Sequence, residues 1–273
     1  METKPTSPCR LCGALGSLRD SHIISKFYVR GYASTIVTGS HGQEQPASIL
    51  ISTVPGIESG QKQHGIFERE LGVIQLLLCA DCEQRFSRYE DWFRRFFYGT
   101  RAGKIQKQPV GNPVALRPRE REVLADYKPF KLFILSLLWR VSVADGVFFR
   151  NVRLTVHDEK RIATVLLSES PGPDDFYGFA MLDLRIAGCM MEDMVEEPAM
   201  RSDGSGNSIC TLFVGGFSVV INVSDGITPM PHGLAAYRVR ASGRFTLVEM
   251  DDRARQAGWF RKIREMNALP VIQ

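Results

Sequence analysis

Two pairs of cysteines constrain this chain more than any other feature of its sequence. Cys9 and Cys12 form a C-x-x-C unit near the start, and Cys79 and Cys82 form a second unit further along. Two residues between cysteines allow both sulfurs to point at one ion from a single tight turn. Two such turns supply the four thiolates of a tetrahedral zinc site, so the sequence predicts one structural zinc held by these four residues.

The segment after Cys82 predicts how this site is built. Residues 83–93 have the pattern of a helix. At about 100° per residue, an apolar stripe falls on one side of that helix; its members are Phe86, Tyr89, Phe93, Phe96 and Phe97. A C-x-x-C turn (a zinc knuckle), an extended segment and a second knuckle at the start of a helix are typical of a treble-clef zinc finger. The alternatives are four unrelated buried cysteines or two redox-active pairs.

Composition favours a soluble globular protein, and the lack of an export signal favours cysteines that bind metal. Of its 273 residues, 44% are hydrophobic and 23% are charged, and the formal net charge of +4 permits nucleic-acid binding without requiring it. Residues 1–8 lack the apolar run of a signal peptide, and the longest apolar stretch, 130–143, is interrupted by polar residues. We therefore expect a cytoplasmic protein without membrane contacts, in which paired cysteines bind metal rather than form disulfides. Cys189 and Cys210 are expected to be ordinary buried residues.

The rest of the chain predicts an α+β fold in two domains. A stretch rich in Gly and Pro at 39–70 is predicted to be a long loop inside an N-terminal zinc module, 1–102. A linker at 103–118 leads to a larger α+β domain, 119–273, whose sequence indicates no chemistry. Its predicted helices are 119–125, 128–144, 160–168 and 251–268, its strand-rich regions are 176–186, 209–223 and 234–249, and 200–208 is predicted to be a surface loop.

Two further motifs accompany the cysteine pairs. Asp20-Ser21-His22-Ile23-Ile24 follows the first pair, while Leu77-Leu78 precedes the second pair and Glu83 follows it directly. Together these motifs, within residues 9–98, resemble the HNH endonuclease superfamily with a zinc-bound ββα-metal core. More narrowly, they look like bacterial HNH-like proteins with a Ser-His-Ile-Ile/Val-x-Lys-Phe box and a Leu-Leu-Cys-x-x-Cys-Glu-x-Arg-Phe-Ser box. Residues 99–273 lie outside the resemblance.

The resemblance implies a metal-dependent endonuclease that hydrolyses phosphodiester bonds of nucleic acid, with DNA as the expected substrate and bacterial defence as its setting. His22 would be the general base on water, and one magnesium or manganese ion would neutralise charge on the phosphate. In typical members an acidic residue or histidine directly precedes the base, but here that position is Ser21. The expected ligands of the catalytic metal are therefore the carboxylates of Asp20, Glu83 and Glu90.

Each of these residues also has an ordinary structural explanation. His22 is also a candidate core histidine, Glu83 a helix N-terminal charge, and Glu90 the partner of Arg94 at i+4. The basic residues around the motifs are predicted to contact phosphates or else to form a solvated face; they are Lys26, Arg85, Arg88, Arg94, Arg95, Arg101, Lys104 and Lys107. The alternative function is a non-catalytic, zinc-stabilised protein that binds nucleic acid, a protein partner or a second copy of itself through the C-terminal domain.

Overall fold

A computed structural model of the chain describes residues 6–24, 74–99, 120–183, 198–202, 207–224, 230 and 234–249. The predicted loop at 39–70, linker at 103–118 and helix at 251–268 lie outside these residues, as do Lys26, Arg101, Lys104, Lys107 and Cys189. Within the described ranges, no helix is long and apolar enough to cross a lipid bilayer.

The described residues form a mixed α+β fold, as the sequence predicts. The helices are α1 (Ala80–Tyr98), α2 (Tyr127–Val143) and α3 (Val156–Ser168). The strands are β1 (Thr6–Pro8), β2 (Leu15–Ser17), β3 (Arg19–His22), β4 (Ile74–Leu78), β5 (Glu120–Leu124), β6 (Phe179–Asp183), β7 (Ala199–Ser202), β8 (Ser208–Val214), β9 (Phe217–Asn222) and β10 (Arg244–Glu249). Two short 3-10 helices span Val147–Phe149 and Leu234–Tyr237.

The strands form three sheets. Two of these are antiparallel pairs, in which β1 pairs with β2 and β3 pairs with β4. The third sheet has six strands in the order β5-β10-β6-β9-β8-β7. Its β10 and β6 run parallel, and all other neighbours in it are antiparallel. The small pairs precede α1 in the chain and the large sheet follows it, so α1 connects the two regions.

Helix α2 forms the centre of the core. Its sequence is apolar on nearly every side, and it is buried continuously from Phe130 to Val143, as expected for a helix surrounded by other elements. The Asp126 side chain caps its N-terminus by accepting a hydrogen bond from the backbone N–H of Lys128 at 3.3 Å. Helices α1 and α3 both pack against it. Phe130 meets Phe179 of the large sheet edge to face, with ring centroids 5.0 Å apart.

Helix α1 joins the cysteine-bearing segment to the same core. The apolar stripe predicted between Phe86 and Phe97 is confirmed by the burial of its side chains. Phe93 stacks on Phe133 of α2 with ring centroids 4.4 Å apart, and Phe97 meets Phe217 of β9 at 4.8 Å. Residues on both sides of the predicted linker therefore contribute to one apolar core.

Two predictions for the C-terminal region are wrong. Residues 119–125, predicted to be a helix, contain strand β5, which pairs with β10 along its length. So short a helix is marginal by itself, whereas pairing with β10 satisfies the backbone groups of the segment. The loop predicted at 200–208 contains most of the edge strand β7 and the first residue of β8.

A tight hairpin turn lies at Gly215-Gly216. It joins β8 to β9, and both glycines adopt positive φ, 54° and 79°. A two-residue hairpin turn whose twist matches that of its strands requires positive φ at both of its central residues. A side chain at either position would be strained.

Lys131 is a charged residue inside the apolar helix α2. Its Nζ donates to the Tyr177 carbonyl at 2.6 Å and lies 5.2 Å from the centre of the Phe179 ring. Burial lowers the pKa of Lys131 to about 7, and the Asp174 carboxylate opposes this effect only in part. A lysine in an unfolded chain has a pKa of about 10.4. Between these two pH values the unfolded state therefore binds more protons than the folded state.

Replacing Lys131 by methionine should change how stability depends on pH. The free energy of unfolding of the wild type, minus that of Lys131→Met, is expected to rise from about pH 7 to about pH 10, because folding releases the lysine proton in this range and that release costs less free energy as the pH rises. Urea unfolding of both proteins across this range measures the difference. Lys128→Met, at an exposed position of the same helix, is the control and should give a constant difference. A constant difference for Lys131→Met would contradict the lowered pKa.

Candidate metal centre and adjoining groove

The four cysteines of the two C-x-x-C units come together in space. The sulfurs of Cys9, Cys12, Cys79 and Cys82 all lie within 4.8 Å of one another, and the Cys12 and Cys79 sulfurs are 3.7 Å apart. Sulfurs placed about 2.3 Å from one zinc ion at the corners of a tetrahedron are about 3.8 Å apart. The cluster can therefore hold a metal ion such as zinc, as the sequence predicts.

The first knuckle is a turn closed by backbone hydrogen bonds. It connects β1 to β2, and within it Gly13 donates to the Cys9 carbonyl at 2.8 Å while Cys9 donates to the Ala14 carbonyl at 2.9 Å. Gly13 has a φ of 75°, which a glycine adopts at no steric cost. This turn places Cys9 in the buried interior and leaves Cys12 exposed.

The second knuckle opens helix α1. Cys79 is the N-cap residue in an extended conformation, its carbonyl accepts from the backbone N–H of Glu83 at 3.0 Å, and Cys82 lies in the first turn. A helix N-terminus carries partial positive charge, which favours thiolates at this position. The backbone N–H of Arg10 donates to the Leu77 carbonyl at 3.1 Å and so ties the first knuckle to the strand that leads into the second.

The cysteine sulfurs have different surroundings. Burial disfavours a thiolate at Cys9, but the backbone N–H groups of Cys12, Cys79 and Leu11 together outweigh burial and lower the pKa of Cys9 to about 7. At Cys82, burial and the neighbouring sulfurs raise the pKa of the thiol well above its usual range. A bound cation reverses this effect, because metal coordination removes the thiol proton.

An open groove lies beside the knuckles, between β3 and the N-terminus of α1. Its volume is about 590 Å³, and its lining includes three carboxylates, those of Asp20, Asp81 and Glu83. Arg19, Gln84 and Ser87 add further polar groups. Two of the three carboxylate residues predicted to bind a catalytic metal, Asp20 and Glu83, therefore lie at one groove.

Glu83 lines this groove and is half-buried. Burial raises the pKa of Glu83, and the Glu90 carboxylate adds to the rise. The Ser21 hydroxyl and the Arg140 guanidinium act in the opposite direction but do not cancel the effect of burial. Ser21 is fully buried, and its hydroxyl donates to the Arg19 carbonyl at 3.4 Å.

His22 is the last residue of β3 and is half-buried. It pairs with Ile74 of β4, and its backbone carbonyl accepts a hydrogen bond from Arg140 Nη1 at 2.6 Å. His22 follows Asp20 by two positions on β3. The register of the β3–β4 pairing shifts between Arg19 and Asp20. Among the described residues, His22 is not part of the groove lining.

Glu90 does not pair with Arg94, so this prediction is wrong. Its Oε1 accepts from Arg140 Nη1 at 2.7 Å, and Arg94 instead pairs with Asp91 at 3.2 Å. The buried guanidinium of α2 is the stronger partner because a charge removed from water needs an opposite charge nearby. Within the described residues, the four cysteines are the one group of three or more metal-ligating side chains whose ligand atoms converge, so Asp20, Glu83 and Glu90 form no second cluster.

The four arginines of α1 that were predicted to contact phosphates have protein partners. Arg85 donates to the carbonyls of Leu166 and Leu167 at 3.0 and 2.6 Å and so caps the C-terminus of α3. The others are held by carboxylates: Arg88 pairs with Glu169 at 2.6 Å, and Arg94 and Arg95 pair with Asp91 at 3.2 and 3.4 Å. Arg88 and Arg95 remain largely exposed, with 61% of each side chain accessible, so these two are open to an additional anion.

The sequence motifs did not identify Arg140 as a residue of the candidate site. It lies in α2, far from the motifs, yet its guanidinium connects the end of β3 to α1. The available signal was a charged residue within an apolar helix, because a charge there needs a buried partner.

Comparisons of this chain with protein-family models, with curated proteins and with solved structures found no match.

Proposed function

We propose that this protein is an HNH-like, metal-dependent endonuclease whose N-terminal segment is a treble-clef zinc finger with a ββα-metal core. The observation that carries the proposal is the order of elements around the cysteine cluster. A knuckle on a β-hairpin, Cys9–Cys12, is followed by the β3–β4 pair and by α1, whose N-terminus supplies Cys79 and Cys82. This order, with His22 ending β3, supports the resemblance drawn from the motifs.

The zinc in this proposal is structural. Four thiolate ligands close the coordination shell, which leaves no open position for substrate or water. The ion would hold the β1–β2 turn, which leads into β3 with Asp20 and His22, against the start of α1, which carries Glu83. The two halves of the candidate active site are thereby fixed to each other.

The groove supports a separate site for a magnesium or manganese ion. Magnesium is commonly held by one or two protein carboxylates, with waters and substrate phosphate completing its shell. Asp20 and Glu83 supply two carboxylates at one open groove, which fits such a partial site. When bound, the ion would neutralise the charge that develops on the phosphate and its leaving oxygen. His22 would take the proton from the attacking water.

The second candidate is a zinc-stabilised protein that binds nucleic acid or a partner without cutting. The observation that favours it is the absence, among the described residues, of a second cluster of converging metal ligands near His22. A gel shift that weakens with salt, together with intact substrate in magnesium or manganese, would select this candidate.

Substituting Glu83 and Glu90 separately distinguishes a metal ligand from a structural partner. Glu83→Gln should strongly reduce magnesium-stimulated DNA cleavage and raise the magnesium concentration needed for half-maximal rate, because a neutral amide is a weaker ligand for a hard cation. Glu90→Gln should lower the rate, because its amide oxygen can still accept from Arg140 but no longer offsets the buried charge, while the magnesium concentration needed for half-maximal rate stays nearly unchanged. Cleavage rates measured across a magnesium titration test both. Equal increases in the half-maximal magnesium concentration in the two variants would contradict the assignment of Glu83 as the ligand.

A further inference from the structure

We propose that Arg140, on α2 in the C-terminal region, is a positioning residue for His22. It fixes the end of β3 against α1 and so makes the C-terminal region part of the candidate active site. This inference deepens the proposed endonuclease function and rests on it for the role of His22 in cleavage. The contact between Arg140 and His22, however, is a property of the fold and can be tested without any activity.

The Arg140 side chain joins three elements. Its Nη1 donates to the His22 carbonyl at 2.6 Å and to Glu90 Oε1 at 2.7 Å, while its Nε donates to the Ser136 carbonyl on its own helix at 3.2 Å. The guanidinium also lies over the Phe86 ring, 5.3 Å from its centre. Strand β3, helix α1 and helix α2 therefore meet at one cation.

The contacts of Arg140 are buried, so water cannot easily replace them. The Arg140 side chain is 2% exposed and that of Glu90 is 20% exposed, so little water is available to replace either partner. Breaking a buried ion pair by removing one partner is strongly destabilising, because the remaining charge has no compensation. The buried guanidinium therefore depends on acceptors within the protein, and the His22 carbonyl is one of them.

The chemistry of arginine suits this role. A guanidinium is planar and permanently charged and its donors have a fixed geometry, so that the bond from Nε to the Ser136 carbonyl orients Nη1 toward both Glu90 and the His22 carbonyl. A lysine at position 140 would keep the charge beside Glu90 but would present a point charge on a flexible stem. We expect it to satisfy Glu90 or the His22 carbonyl, but not to hold both in place.

The functional consequence follows from geometry. A general base must lie within about 2.6–3.2 Å of the water that it deprotonates, and a displacement of about 1 Å can cost about 100-fold in rate. His22 ends β3, and residues 25–73 beyond it lie outside the described part of the chain. The contacts that hold the end of β3 include its pairing with Ile74, the bond from Arg140 and the burial of Ile23 and Ile24, which follow it in the chain.

The test compares Arg140→Lys with a matched control in the zinc-loaded full chain. Arg140→Lys should lower kcat for DNA cleavage by about 10- to 100-fold, as is usual for residues that orient a catalytic group, with KM nearly unchanged. In a His22→Ala background the same substitution should cause no further loss, because the group that it positions is gone. Arg238→Lys is the control: Arg238 is also largely buried and paired with carboxylates, those of Asp174 and Asp175, and kcat should remain at the wild-type value.

A spectroscopic measurement keeps the inference separate from the proposed function. The chain has five histidines, and the ring signals of His22 can be assigned by their loss in His22→Ala. In ¹³C-labelled protein, Arg140→Lys should shift the His22 ring signals, while Arg238→Lys should leave them unchanged. Wild-type protein that cuts no nucleic acid would overturn the endonuclease proposal but not the contact, which the His22 signals still report. Unchanged His22 signals in folded Arg140→Lys, or equal losses of cleavage with and without His22, would overturn the positioning role.

Discussion

Removal of metal from the cysteine cluster is expected to unfold the zinc-binding segments, 6–24 and 74–82, before the rest of the chain. The strands β1 and β2 have three residues each, too few for a hairpin to be stable in water without support. Without a cation, a thiolate at Cys9 would also disfavour a second thiolate at Cys82, because like charges repel in a partly buried site. Structural zinc supplies about 10–16 kcal/mol of binding free energy to isolated zinc-finger peptides, so the expected loss is large.

Hydrogen exchange before and after treatment with a chelator measures this effect. Amide protection should disappear first in 6–24 and 74–82, with about one zinc released per chain, while α2 and the large sheet stay protected by their apolar core. Cys82→Ser should show the same pattern without chelator. Cys210→Ala is the matched control, since Cys210 is buried in β8 away from the cluster and should not affect zinc content. Full protection of 6–24 in metal-free protein would contradict a structural metal.

Substitution of the candidate general base is expected to have the largest effect on activity. His22→Ala should lower the rate of magnesium-dependent DNA cleavage by about two to four orders of magnitude, the usual contribution of a positioned general base. Its zinc content and free energy of unfolding should change little, because the side chain is half-buried and the carbonyl that binds Arg140 belongs to the backbone.

The control for this substitution is a histidine at the surface. His157→Ala, at an exposed position in the first turn of α3, should cleave as well as the wild type. Single-turnover rates at saturating DNA separate the chemical step from binding. A His22→Ala protein that cuts at the wild-type rate would remove His22 from the mechanism, even if zinc binding and cleavage were both established.

The cysteine cluster could be predicted from sequence because spacing alone determines it. Two C-x-x-C units can converge on one ion whatever fold surrounds them. Helix α2 was predictable for a similar reason, since an uninterrupted apolar segment from Phe130 must be buried on all sides. Both predictions depend on local pattern, and the structure bears out the burial of α2 and the approach of the four sulfurs.

The contacts that the sequence did not reveal are those that join distant elements. Strand β5 was mistaken for a helix because its pairing with β10 lies far away in the chain. The pairing of Glu90 with Arg140 was missed for the same reason: a neighbour at i+4, Arg94, is visible in the sequence, whereas a buried cation on another helix is not. Tertiary contacts overrode local preference at each of these positions.

The roles of the arginines on α1 illustrate a further limit. A dense run of basic residues indicates an anion-binding surface only if those side chains have no partners within the protein. Arg85 instead caps α3, and its neighbours meet Glu169 and Asp91. Partners of this kind come from residues far along the chain or from acidic residues one helical turn away, and only the second can be recognised from spacing.

The most direct test of the proposed function is cleavage of covalently closed circular DNA by the zinc-loaded chain, with and without added magnesium. Magnesium is withheld rather than chelated in the control, because a chelator would also strip the cysteine cluster. The proposal predicts conversion of the circle to nicked and linear forms only when magnesium or manganese is present, and loss of that conversion in both His22→Ala and Glu83→Gln. DNA that stays intact under all these conditions, or cleavage that persists in both variants, would contradict it.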